Sequence, residues 1–501
     1  MSSHIEDSPR ISVYNTLTRR KEPFVPVNPG KVGMYLCGPT VYKPSHVGHM
    51  VGPVIFDTVK RFLTWCGYKV NFVVNITDID DKLIVEAAKQ NTTVPEIATR
   101  VTQDYWNCLK ALGVDSIDHF PKATEHIPEI LSMIESLIAK GHAYPSQGDV
   151  YFDVSSDEDY GKLCNRDPEQ MEAGARIEVS ERKRNPGDFA LWKGAKPGEP
   201  SWPSRWGAGR PGWHIECSAM SLKWLGAPID IHGGGLDLQF PHHENELAQS
   251  ESHLGHAFSR YWMHNGLMKT GDKKMSKSEG NEIVVSALLK KHSSETIRYL
   301  LLSSHYRSPI EYSDARLEEV ARSLEGFKRF FELFERVTKK SFYELPTPTH
   351  YQASLFDPEK QKGPLSRSMA KLGDEFVEAM ADDFNTGGAI GALHQMLTTL
   401  NGFIATNKLE ANLVPEAVED LLSGTIYLKE ATRILGLFLA APAKSSSDDG
   451  LVDGLMKLVI EIRAESRKNK LFSIADQIRK GLGELGISLE DRAGGTVWRK
   501  N

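Results

Sequence analysis

The sequence predicts an α/β architecture built on a parallel sheet and followed by a run of helices. Three observations predict it. Two β-branched and aromatic runs, Val32–Cys37 and Val70–Ile76, flank a segment whose apolar residues recur at three-four spacing. That strand–helix–strand order implies parallel pairing, because parallel neighbours need a crossover rather than a tight hairpin. Beyond about residue 311 the pattern changes to long helical stripes.

In chain order, Met1–Arg10 is polar and carries Glu6 and Asp7, so neither a secretory apolar core nor a transit peptide is expected. Val32–Cys37 is read as the first strand. The helix after it carries Val51, Val54, Ile55, Val59, Phe62, Leu63 and Cys66 on one stripe and stops at Gly67. His46-Val-Gly-His49 stands where strand hands over to helix. Ligands of open α/β sheets bind beyond the carboxyl ends of the strands. A helix N-terminus there offers unpaired N–H groups and a favourable dipole to phosphate. Gly48 lets a flat nucleotide approach the backbone closely. The plain alternative is a helix start with two surface histidines.

Ile229–Ile231 and Tyr261–Met268 read as further strands. A turn at Gly271-Asp272 leads to Lys274-Met-Ser-Lys-Ser278, and helical spacing resumes at Ile283. Lys274 and Lys277 therefore lie on a strand-to-helix loop. Two lysines closing over a triphosphate would stabilise charge developing at phosphorus without covalent chemistry. A Lys/Ser-rich loop is otherwise ordinary solvated surface. Taken together, in this order and these settings, the two signatures point to attack on the α-phosphate of ATP.

In the helical part, Ser313 and Asp314 are N-cap candidates. Leu317, Val320, Leu324, Phe327, Phe331 and Phe334 form one apolar stripe, and Ile390, Leu393, Leu397, Leu400 and Ile404 another. Residues 440–450 (AAPAKSSSDDG) read as a flexible linker. Residues 461–501 hold nine Lys/Arg against six Asp/Glu, a net +3 in a chain whose total is −6, and place Trp498 beside Arg499 and Lys500. Aromatic and basic residues together suit unpaired bases and phosphates, although a small basic tail is commonplace and the acidic whole gives no support for nucleic-acid binding.

Five cysteines, an odd and sparse set, argue for reduced thiols in a cytosolic protein. Cys66 and Cys108 fall within apolar helical patterns and read as core; Cys164 has no evident partner. Cys37 ends the first strand, and Cys217 lies in Gly212-Trp-His-Ile-Glu-Cys-Ser-Ala219. Phe240-Pro-His-His-Glu-Asn-Glu-Leu247 is expected to open a helix with Pro241 near its first turn. His242 and Glu246, four apart, then share a face. Two cysteines, a histidine and a carboxylate make an acceptable tetrahedral zinc set. An ordinary i,i+4 contact and a buried small hydrophobe explain the same residues. The string is not the H-E-x-x-H of zinc proteases, which disfavours a metallohydrolase.

These motifs resemble those of class I aminoacyl-tRNA synthetases, whose first signature is met here with Val47 in place of Ile and whose second is met in full. Cys37-Gly-Pro-Thr-Val-Tyr42, Gly212-Trp-His-Ile-Glu-Cys-Ser-Ala-Met220, His232-Gly-Gly-Gly235, Phe240-Pro-His-His-Glu-Asn-Glu246 and Gly495-Thr-Val-Trp-Arg499 resemble the cysteinyl-tRNA synthetase family in particular. The resemblance implies a Rossmann-like parallel-sheet catalytic domain split by an insertion, then a helical bundle and a small mixed α/β C-terminal domain. It implies the boundaries 11–120 and 212–310 for the two catalytic halves and 121–211 for the insertion, which includes Glu181-Arg-Lys-Arg184. The bundle would span 311–440 and the anticodon-reading domain 451–501. By motif, zinc would be held by Cys37, Cys217, His242 and Glu246 and would bind the substrate's thiolate. His46, His49, Lys274 and Lys277 would stabilise the transition state. Gly48, His232, Gly234, Asp237 and Lys277 would bind the nucleotide, and Thr77 and Trp213 would line the amino-acid pocket. The residues alone also allow Thr77 as a strand end, Trp213 as core and Asp237 as a helix cap. Two departures are Arg205, where proline is expected, and Phe384, where leucine is usual in Asp382-Asp-Phe-Asn-Thr386.

An ordinary pocket separates near-isosteres by only roughly 10- to 200-fold, whereas zinc prefers a soft thiolate to a neutral hydroxyl. Four protein ligands look structural rather than catalytic, so the metal is expected to accept a fifth ligand or loosen one, Glu246 first. Partners implied are tRNA-Cys, L-cysteine and ATP with magnesium; a cytoplasmic monomer is expected. At 40% hydrophobic and 25% charged, with no long apolar stretch, nothing suggests a membrane protein. Two other readings stand beside this one. A cysteine:small-amine ligase would not need the basic C-terminal block. A non-catalytic RNA-binding paralogue should have lost motif residues.

Overall fold

The computed structural model describes residues 8–165, 181–270, 273–274, 283–442, 449–492 and 495–500. The chain divides into two compact units, Met1–Leu439 and Ala440–Asn501. In the larger unit β1 (Ser12–Asn15) and β2 (Arg20–Pro23) form an antiparallel hairpin. β3 (Lys31–Leu36) and β4 (Lys69–Val74) are parallel neighbours joined by the helix Gly48–Trp65. Both strands end in three consecutive buried residues, the pattern of a sheet covered on both faces. Helices Asp81–Gln90 and Val94–Ala111 follow; Thr93 and Glu96 close the latter's start with a capping box.

The next segment builds its own antiparallel sheet, β5 (Ala143–Ser146), β6 (Asp149–Phe152), β7 (Phe189–Gly194) and β8 (Gly209–Pro211), in that spatial order. It packs with the helix Ile127–Ala139 around Ile130, Ile134, Val150, Phe152, Leu191 and Trp192. That core continues onto Ile215 and Ala219 of the helix Trp213–Leu225.

The chain then re-enters the first sheet. β9 (Ile229–Gly235) pairs in parallel with β3, and β10 (Ser259–Asn265) with β9, giving the order β10-β9-β3-β4. Successive strands run outward in opposite directions from the β3–β9 pair, which makes that pair the topological switch point where open sheets bind ligands. β11 (Met268–Thr270), β12 (Lys273–Lys274) and β13 (Ile310–Glu311) form a small mixed sheet.

The helices Asp314–Thr338, Pro364–Ala381, Thr386–Thr406 and Pro415–Ile434 follow. Every residue of the two stripes named from the sequence is buried, and Ser313 caps the first helix by accepting from the Arg316 N–H. These helices share one core with the parallel sheet; Phe62 meets Phe384 edge-on at 6.3 Å. Phe384 is buried at φ 49°. The smaller unit holds helices Asp449–Lys468 and Phe472–Glu484 and a hairpin of β14 (Ile487–Arg492) and β15 (Gly495–Lys500). Most of the linker read at 440–450 lies outside the described residues. No described helix is long and apolar enough to cross a membrane.

Candidate active site

Cys37 leaves the carboxyl end of β3, and its N–H donates to the Gly233 carbonyl of β9 at 3.0 Å. The sulfur is thus delivered to the switch point. Gly38 has no alternative there, since a Cβ would lie 1.8 Å from the Asn75 carbonyl oxygen. Trp213, Glu216 and Cys217 occupy the first turns of their helix at spacings of three and four and so point one way. Gly212 before them is fixed by the Ala190 carbonyl, 1.9 Å from where a Cβ would stand.

His242 and Glu246 reach the same place by a route different from the expected one. Pro241 does not open an α-helix: the Phe240–Pro241 bond is cis, Gln239–His243 makes a π-turn, and the α-helix begins at Glu244. The turn runs on into the helix, so the i,i+4 relation survives, with His242 Nε2 2.9 Å from Glu246 Oε1. Cys37 Sγ donates to Glu246 Oε1 at 3.2 Å. Donor atoms of Cys37, Cys217, His242 and Glu246 all lie within 4.8 Å of one another.

Burial pushes the Cys37 thiol well above the ordinary thiol range. Burial alone would also raise Cys217, but the hydrogen bond with Cys37 and the nearby His242 outweigh it and bring this thiol down to about 6. Burial opposes charge on His242, yet Glu246 and Cys217 raise it to about 10. Glu246, fully buried, is held well below the carboxylate range because His232 and His242 outweigh desolvation. Buried donors of this kind are tolerated when they share a cation. Two sulfurs, an imidazole nitrogen and a carboxylate oxygen are the donors zinc takes in tetrahedral geometry, so the residues present fit that ion.

His232 is fully buried, with Nε2 3.1 Å from Glu246 Oε2 and 3.6 Å from Cys37 Sγ. With Cys37, His243 and Glu246 it forms a second ligand-capable set that sequence reasoning missed. The adjacent histidines of the HHENE string were its signal. Gly234 makes room for a protein side chain, His243, whose ring would lie 2.7 Å from a Cβ there. Asp237 is exposed, within the short 3-10 turn Leu236–Leu238 rather than at a helix cap.

Thr77 is buried just beyond β4, and its hydroxyl donates to Glu216 at 3.1 Å. Trp213 is half-buried and stacks on His242, ring centroids 4.3 Å apart. His46 precedes the helix Gly48–Trp65 and His49 lies in its first turn; their rings meet at a 31° tilt with centroids 3.6 Å apart. Gly48 sits beneath the His46 ring, which would be 3.0 Å from a Cβ at that position. Among the described residues no side chain caps that helix start. The chain after the second signature returns to the first: Val47 N–H donates to the Ile283 carbonyl and Val285 N–H to the Ser45 carbonyl, both at 2.9 Å. Lys274 ends β12, while Lys277 lies outside the described residues.

The fold has a counterpart among solved structures. It resembles Mycobacterium tuberculosis methionyl-tRNA synthetase in complex with methionyl-adenylate, with TM-score 0.57 at 18% identity over 81% of this chain and 90% of that one. Residues 23–322 match the class I (C) tRNA synthetase catalytic domain, and residues 375–440 the DALR domain. A cysteine–tRNA ligase of Heliobacterium modesticaldum is 47% identical over 98% of this chain and 99% of its own length. One from Pelotomaculum thermopropionicum is 45% identical over 98% and 100%. The chain belongs to the cysteine–tRNA ligase family of class I synthetases, and is a ligase.

Proposed function

We propose that the protein joins L-cysteine to tRNA-Cys at the expense of ATP, through a cysteinyl-adenylate. The observation that carries this reading is the meeting of Cys37, Cys217, His242 and Glu246 at the β3–β9 switch point, within 4.8 Å of one another. Zinc held by these four residues would supply a soft Lewis acid that prefers a thiolate to a neutral hydroxyl.

The substrate carboxylate attacks the α-phosphorus of magnesium-bound ATP and pyrophosphate leaves. A terminal ribose hydroxyl of the tRNA then attacks the carbonyl carbon, and AMP leaves. His46 and His49, beside the start of the helix Gly48–Trp65, and Lys274 and Lys277 bind phosphate oxygens as charge develops on them. Gly48 and Gly234 with Asp237 line the nucleotide's path, and His232 borders it from beneath. Thr77 and the Trp213 ring wall the amino-acid pocket. Residues 451–501 read the anticodon, with Trp498 and its basic neighbours contacting unpaired bases. The same reading makes the protein a cytoplasmic monomer.

Cysteine-dependent ATP–pyrophosphate exchange, followed by charging of the matching tRNA, tests this. Both activities are expected. Exchange without charging would favour a ligase acting on a small amine, and absence of both from folded, zinc-loaded protein would overturn the reading.

A further inference from the structure

Lys82 is an exposed lysine in the first turn of the helix Asp81–Gln90, where its N–H donates to the Asp80 side chain at 2.9 Å. The neighbouring Asp81 is engaged by the insertion: it accepts from Lys193 of β7 at 2.8 Å and from Arg210 of β8. Lys82 itself makes no ion pair among the described residues. Its ammonium instead stands 5.8 Å from the ring centroids of both Tyr42 and Trp213, within cation–π range. Trp213 in turn stacks on His242. A line of contact thus runs from the sulfur-and-histidine cluster through one indole to a positive charge.

In cysteine a single methylene separates the thiol from the carbon bearing the carboxylate. A thiol at the cluster therefore leaves the carboxylate beside the Trp213 face, on the side where the ammonium stands. We propose that Lys82 anchors the α-carboxylate of the amino-acid substrate, pairing with the oxygen that does not attack phosphorus and so turning the other towards ATP. Charge-assisted bonds of this kind are the stronger ones. The two aromatic faces hold the ammonium over the pocket mouth before substrate arrives. The Asp81 ion pairs make the insertion sheet the element that sets its position. This assignment rests on the cysteine-activating reading above.

The test compares a substrate with a carboxylate to an analogue without one. Pyrophosphate exchange gives KM for cysteine and ATP, and inhibition by cysteamine reports the thiol and amine contacts alone. Lys82→Met is expected to raise KM for cysteine by about tenfold or more, while KM for ATP and the cysteamine inhibition constant stay within about twofold. Lys82→Arg, which keeps the charge, is expected to recover most of the loss. Equal weakening of cysteine and cysteamine would make Lys82 a shaping residue and overturn the proposal, as would a change confined to KM for tRNA. No cysteine-dependent exchange in the unmodified protein would overturn the functional reading along with it. Exchange there, with unchanged constants in Lys82→Met, would overturn the lysine assignment alone.

Discussion

Arg298 is fully buried, and its guanidinium donates to Asp57, to Thr58, and to the carbonyls of Leu112, Gly113 and Leu435. One side chain thus ties the helix of the first signature to the chain after the second and to the last helix of the bundle. Removing Arg298 leaves the buried Asp57 carboxylate with Arg61 alone to offset its charge. Arg298→Met is therefore expected to cost about 3–5 kcal/mol, read by urea unfolding. Burial works against the Asp57 charge, but Arg298 and Arg61 outweigh it and hold the carboxyl below its ordinary value. A lowered carboxyl contributes stability above its unfolded pKa of about 3.9 and loses it as pH falls through the folded value. The stability gap between wild type and Asp57→Asn should then be widest near neutrality and narrow in acid. At the cluster, Cys217→Ser should lower bound zinc per chain, measured by metal analysis of the purified protein. The four cluster residues were legible because they fall in three short motifs, His242 and Glu246 sharing one. The Arg298–Asp57 pair was not, because 241 residues separate its members and neither belongs to a pattern.

Elements were most legible where periodicity was long. Ser313 was readable as a cap because a polar residue preceded a clean stripe, and Ser313→Ala is expected to cost about 1 kcal/mol in thermal unfolding. The strands β5 and β6 have only four residues each, and β6 is buried throughout, so no alternation marked them. The π-turn before Glu244 was illegible for another reason. Pro241 fits a helix start equally well in one dimension, and only packing against β9 and its neighbours selects the turn. The glycines of β9 show the same limit: they suggested space for a nucleotide, but not that the side a Cβ would take at Gly233 and Gly234 lies against Phe56 and His243.

Across the whole molecule, every described residue assigned to amino-acid activation lies within Met1–Leu439, while the basic, Trp-bearing block lies in Ala440–Asn501. Deleting residues 440–501 should therefore spare pyrophosphate exchange and sharply reduce tRNA charging, measured on the same preparation. The α/β class and the helical tail were legible from sequence because each rests on local periodicity. The common core of sheet and bundle was not, since contacts such as Phe62 with Phe384 join residues that no local pattern connects.

The pairing of β3 with β9 across the intervening sheet also sets a timetable. Cys37 and Glu246 are 209 residues apart, so the cluster cannot close until half the chain has been made. At about 5–20 residues per second this leaves the Cys37 thiol uncovered for roughly 10–40 s of each synthesis. During that interval it is open to oxidants and to stray thiophilic ions, before the last of its three partners has emerged to shield it.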